Sequence, residues 1–135
     1  MKIGDVAQRT GLSAHTIRYY ERIGLIPYAD RDSSRHRDYD LSILAWIEFI
    51  GRLKFTGMPL KQMVEYARLR DQGPETGSAR RELLEKHRDR VRTNIADLSE
   101  SLIALDFKIA GYAGAEQRIT IHEQNRTTRK PLRTR

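Results

Sequence analysis

The chain has 135 residues, enough for one compact domain plus an extension. It contains no cysteine, which excludes disulfides, thiolate metal sites and redox or electrophile sensing by a thiol of its own. The formal charge is +7, but over half of the excess falls in residues 116–135, so the placement of individual residues must carry any argument for nucleic-acid binding.

The first predicted helix runs from Ile3 to about Arg9, with Ile3, Val6 and Ala7 as its apolar stripe. Gly11 follows, where a tight turn can need positive φ. Ser13 suits the N-cap of a second helix, in which Ile17 and Tyr20 face the first. Gly24 closes that helix and Pro27 prevents its resumption. The remaining face offers His15, Thr16, Arg18 and Tyr19, donors suited to phosphates or base edges. On periodicity alone, a packed αα-hairpin without any role in DNA binding stands equally open.

Residues 28–38 are charged and turn-rich and suggest a short β-hairpin closing at Tyr39, with Arg31, Arg35, His36 and Arg37 placed to reach a flanking backbone. Asp40 then reads as the N-cap of a helix from Leu41 to about Phe55. Its core face comprises Ile43, Leu44, Ile47, Ile50 and Leu53, with Trp46 nearby. Pro59 occupies a first helical position, and a further helix runs to about Arg70 on Leu60, Met63, Val64 and Ala67. The polar break DQGPETG, residues 71–77, marks the expected domain boundary.

From Ser78 to about Tyr112 the chain keeps a heptad. With Leu84, Val91, Leu98, Leu105 and Tyr112 at d, the a positions are Arg81, Arg88, Ile95, Leu102 and Ile109. At 1.5 Å per residue this helix would be about 50 Å long, too long to bury its stripe on so small a domain. It needs a partner helix, most simply a second copy of the chain. Ile119 and Ile121 alternate with polar residues and allow a brief strand. The expected division is therefore 1–75, a DNA-binding domain; 78–112, a dimerisation helix; and 113–135, a short basic tail without fixed structure.

The run SAHTIRYYERIGLI, then Arg37–Asp38–Tyr39, then helices opening at Asp40 and Pro59, resembles the MerR family of bacterial transcription regulators over residues 1 to about 112. The S-x-x-T-I-R-Y-Y-E-x-x-G-L segment is highly specific to that family. The resemblance implies a mainly α fold: an N-terminal winged helix-turn-helix with a helical second wing, then a long antiparallel coiled-coil dimerisation helix. It implies a homodimer on a pseudo-palindrome in a promoter spacer, bent and untwisted so that RNA polymerase can engage it. Carried over by position, Ser13, His15, Thr16, Arg18 and Tyr19 match recognition-helix positions. Arg37 and Tyr39 match the wing, whose members contact phosphates or brace it; Arg35 joins them, and Lys61 matches the second wing. The dimer contacts would be Leu84, Val91, Ile95, Leu98, Leu102, Leu105 and Ile109.

Departures from the family pattern bear on the signal. Metal sensing through cysteine is ruled out. The segment IEFIGRLKFTGMPLKQM resembles the branch that answers aldehydes or nitrosative stress, whose thiol-bearing members place a cysteine in this helix; here it reads Phe49–Ile50–Gly51–Arg52–Leu53. No large C-terminal drug-binding domain of the kind other members carry is expected after Tyr112. His15, His36, His87 and His122 lack ligand spacing and are expected at the surface, with His87 at g able to pair across a dimer. No cofactor, metal or enzymatic activity is expected. No leading apolar segment and no run of about 18 apolar residues is present, so the chain is expected to be soluble and cytoplasmic, without a membrane partner. Its expected partners are double-stranded DNA, itself, RNA polymerase and an effector of unknown identity. The rival readings are an excisionase-like architectural DNA bender without an effector, and a coiled-coil scaffold.

Overall fold

The computed structural model describes residues 1–125. In chain order the elements are α1 (Ile3–Thr10), α2 (Ala14–Arg22), β1 (Asp30–Arg31), β2 (Arg37–Asp38), α3 (Ser42–Phe55), α4 (Leu60–Gln72), a 3₁₀ turn (Pro74–Thr76) and α5 (Gly77–Asn125). None of these helices is long and apolar enough to cross a membrane.

The helix ends follow local chemistry. Gly11 sits at φ 76° beyond α1, a left-handed position that a Cβ would strain. Ser13 caps α2, its hydroxyl accepting from the Thr16 N–H at 3.0 Å. Asp40 caps α3 from two residues ahead, accepting from the Ser42 N–H at 2.9 Å. β1 and β2 pair antiparallel, Asp30 with Asp38 and Arg31 with Arg37. The hairpin is thus two residues deep and ends one residue before Tyr39.

The chain divides into a compact unit, Met1–Val91, and a second unit from Arg92 onward. The compact unit has a single core. Val6 of α1 and Ile17 and Tyr20 of α2 meet Leu25, Ile26 and Tyr39, then Ile43, Trp46, Ile47, Ile50 and Leu53 of α3 and Met63 and Tyr66 of α4. Trp46 joins three parts of it. Its indole N–H donates to the Leu25 carbonyl at 3.0 Å, its ring stacks on Tyr66 at 5.9 Å, and the Arg70 guanidinium lies 4.3 Å above it.

Three expectations need correction here. The break at 71–77 is a corner inside the compact unit, not its edge. Gly73 takes φ 113°, and the buried Thr76 hydroxyl lies 2.6 Å from the Leu69 carbonyl and accepts from Arg80 Nε at 3.0 Å. This seals α4 to α5, and Leu83 and Leu84 of α5 pack on the same core. Second, His87 is buried, not at the surface. Its Nε2 shares a hydrogen bond of 2.7 Å with the Thr56 hydroxyl at the end of α3. Its Nδ1 is buried with no partner among the described residues, so burial, followed by the charge of Arg90, lowers its pKa. Third, α5 does not end at Tyr112 and no strand forms at Ile119–Ile121; the helix continues to Asn125. Gly111 and Gly114 cost about 1 kcal/mol each within a helix, but Ala110, Ala113 and Ala115 beside them are the strongest helix formers, and propagation adds a bond per residue. Residues 126–135 of the expected basic tail lie outside the described residues.

The second unit, taken by itself, is helix whose apolar side chains lie open. Ile95, Leu98, Leu102, Leu105, Ile109 and Tyr112 are all more than half exposed. Among the described residues nothing covers this stripe. Leu84 and Val91, expected on the same seam, are half-buried, and Leu84 packs on its own core, so the uncovered run begins at Ile95.

Candidate nucleic-acid interface

The recognition candidates divide between display and bracing. Helix α2 buries Ile17, Tyr20 and Glu21. The same 3.6-residue period turns Ser13, His15 and Arg18 outward, with Thr16 and Tyr19 half-buried beside them. Ser13 is occupied as the cap, and its hydroxyl also lies 2.9 Å from that of Thr16. Tyr19 lies against Tyr20 at 6.1 Å, and Arg22 sits 5.3 Å over its ring. The open donors of this helix are therefore His15 and Arg18, with Thr16 and Tyr19 forming a stiffer edge.

The wing is built on two carboxylates. Asp32 Oδ1 accepts from the N–H groups of Ser34 and His36, both at 2.9 Å, closing the turn. The Lys2 ammonium bonds the same carboxyl and, with the His36 N–H, holds its pKa at about 2. The turn places Arg35 at φ 63°, a left-handed conformation uncommon outside glycine, with its side chain exposed at the tip.

The second carboxylate is Glu21, only 1% exposed. It accepts from Arg37 Nε at 2.9 Å, from the Tyr39 hydroxyl and, longer, from the Ala29 N–H at 3.4 Å. A buried carboxylate is tolerated only when paired, and here three donors from the wing converge on one side chain of the recognition helix. Burial first, and Glu21 second, push the Tyr39 phenol well above its usual pKa. Of the two readings open for the wing pair, phosphate contact or brace, the geometry fits the brace: Tyr39 is buried and faces inward, and Arg37 is paired with Glu21 with its side chain 23% exposed.

Glu21 escaped sequence reasoning as a functional residue. The signal was present: Ile17, Tyr20 and Glu21 are spaced i, i+3, i+4, which sets an acid on the core face of α2. Lys61 is exposed in the first turn of α4, an end with no side-chain cap and so with backbone N–H groups free to face an anion.

An outward-facing donor helix braced by a wing is a known arrangement, and the comparisons identify it. Residues 2–39 match the model of the MerR family regulatory protein, and residues 44–106 match that of the MerR DNA-binding region. The chain belongs to the MerR family of DNA-binding transcription regulators. Among MerR relatives, the HTH-type transcriptional regulator AdhR of Bacillus subtilis is 43% identical over 91 residues, 67% of this chain and just under two thirds (65%) of AdhR. An HTH-type transcriptional regulator of Haemophilus influenzae is 34% identical over 82% of each chain. Among solved structures, a MerR family regulator from Listeria monocytogenes superposes with a TM-score of 0.84 at 35% identity, covering 94% of this chain and 99% of that one. HiNmlR, described as a MerR family regulator lacking the sensor domain and bound to promoter DNA, superposes at 0.76 with 33% identity over 86% of this chain and 92% of its own. The mainly helical winged helix-turn-helix fold with its long C-terminal helix is the one expected from the resemblance.

Proposed function

We propose that this regulator works in the cytoplasm as a homodimer that binds a pseudo-palindromic promoter spacer, bends and untwists it, and so controls access of RNA polymerase. The observation that carries this reading is the uncovered apolar run Ile95–Tyr112 on a chain that also presents an open donor helix. A stripe of that length needs a second helix, and a second copy supplies one together with a second reading head. Two heads on a stiff coiled coil have a fixed separation, which becomes a rule for half-site spacing. Deforming DNA to meet that spacing costs roughly 1–6 kcal/mol on smooth elastic estimates, repaid by phosphate contacts. HiNmlR, with the same fold, is bound to promoter DNA, which supports the choice of target.

In this reading His15 and Arg18 enter the groove, with Thr16 and Tyr19 at its edge. Ser13 acts through its cap, Arg35 reaches backbone from the wing tip, and Lys61 reaches phosphate from the second wing. Ile95, Leu98, Leu102, Leu105 and Ile109 form the dimer seam, flanked by Val91.

The test is a footprint on the DNA upstream of the regulator's own gene and of its nearest divergent neighbour, followed by transcription from that fragment in vitro. Symmetric protection within a promoter spacer, a hypersensitive centre and altered transcript levels are expected. Protection and bending with no change in transcription would favour the architectural reading. No protection at moderate salt would overturn the proposed target.

A further inference from the structure

We propose that the compact unit contains a binding site for an amphiphilic anion, a molecule with an apolar body and one carboxylate-like head, in the cleft between α1, α2 and α3. The inference deepens the regulatory reading, on which its link to DNA depends, by assigning an effector class to a chain without thiols.

The cleft encloses about 520 Å³, within the roughly 300–1,000 Å³ range of small-molecule sites. Its apolar wall is formed by Leu12, from the turn before the recognition helix, Tyr20 of that helix, and Leu44 and Ile47 of α3. Gly51 opens it. This glycine lies inside α3, where it costs about 1 kcal/mol relative to alanine, and no turn or positive φ requires it. A Cβ built there would meet nothing within 4 Å. Position 51 is exposed, so the cleft is open to solvent on this side, and a larger side chain there would extend into that open space.

The rim selects the charge. Arg9 and Lys54 both line the cleft, and among the described residues neither has an ion-pair partner. Glu48 is the single carboxylate on the rim, leaving a cationic excess. An apolar body against Leu12, Tyr20 and Leu44 with its anionic head between Arg9 and Lys54 satisfies both features. A neutral apolar molecule would use only the first.

Coupling to DNA follows from the wall. Leu12 and Tyr20 belong to the turn and helix that set the reading head, so an occupant contacts the element whose angle decides DNA affinity. It shifts that affinity only by its differential affinity for the two head geometries.

The test uses the full chain with decanoate as probe and decanol as its uncharged counterpart, both below their micelle or solubility limits, followed by calorimetric titration. Decanoate is expected to bind with Kd in the sub-millimolar range and at least about tenfold more tightly than decanol, a difference of about 1.4 kcal/mol. Gly51→Leu, which fills the opened space, should abolish binding. Gly51→Ala should retain most of it and serves as the folding control. Lys54→Gln should reduce decanoate binding toward that of decanol. Equal binding of decanoate by wild type and Gly51→Leu, or none by wild type below the micelle limit, would overturn the site. Anisotropy of the footprinted duplex, with and without decanoate, then reads the coupling. A several-fold shift in DNA affinity is expected in wild type and none in Gly51→Leu. Failure of the chain to protect any of the candidate promoter fragments, with decanoate binding intact, would refute the proposed promoter reading and leave the site standing.

Discussion

Replacing Glu21 with alanine removes the carboxylate on which the recognition helix gathers the donors of the wing. Hydrogen bonds to a charged group contribute about 1.5–3 kcal/mol each, and stripping one partner from a buried ion pair costs about 3–5 kcal/mol. The two freed side-chain donors differ, and the Ala29 N–H, at 3.4 Å, was held only loosely. Arg37, with its side chain 23% exposed, can recover water and belongs at the low end; the Tyr39 hydroxyl is buried and cannot. The expected loss is therefore about 3 kcal/mol for Glu21→Ala. Glu21→Gln keeps a carbonyl acceptor for Tyr39 but forfeits the charge toward Arg37, and about 1–1.5 kcal/mol is expected. Urea unfolding followed by Trp46 fluorescence measures both; with a slope of about 1.5 kcal/mol per molar, the alanine variant should unfold about 2 M earlier. At temperatures where it remains folded, its DNA affinity should still fall at least about tenfold, because the wing is no longer referenced to the helix. A Glu21→Ala chain that loses less than about 1 kcal/mol and binds DNA normally would show that the wing is positioned by something other than this carboxylate.

Other outcomes follow from the same geometry. Arg18→Ala should weaken DNA binding and lower the salt dependence by about one unit of slope, measured by anisotropy across a salt series; an unchanged slope would remove Arg18 from the phosphate contacts. Leu98→Glu, at an exposed position of the uncovered stripe, should yield a folded monomer by light scattering, and a persistent dimer would mean that the seam lies elsewhere. Because the folded pKa of His87 is depressed, its contribution to stability is complete above the unfolded value near 6.5 and is lost as pH falls through the folded value. Thermal stability of wild type should thus decline as pH falls below about 6.5, and His87→Gln should show a shallower decline; parallel profiles for the two would place the acid sensitivity in another group.

Much of this protein was legible along the chain because local chemistry sets it. Gly11, Ser13, Gly24 and Asp40 punctuate the helices through backbone conformation and cap hydrogen bonds, which act over two or three residues and need no tertiary partner. The apolar periods of α2 and α3 fixed which faces turn inward and, by difference, that His15 and Arg18 turn outward. The heptad from Ile95 to Tyr112 was equally readable, and the structure leaves it uncovered.

Tertiary structure decided what polar residues do once faces are assigned. Tyr39 and Arg37 could be read along the chain as phosphate contacts or as braces of the wing; both are drawn to Glu21, because a carboxylate buried by the packing of α2 must collect donors from wherever the fold brings them. His87 read as a solvent-facing heptad position until the corner at Gly73 and Thr76 laid the start of α5 on α3 and buried the ring against Thr56. The cleft that Gly51 lines likewise exists only because Arg9 and Thr10 of α1, Leu12 of the turn and Tyr20 of α2 lie beside α3. In each case the deciding interaction joins residues many positions apart, whose meeting no local pattern encodes.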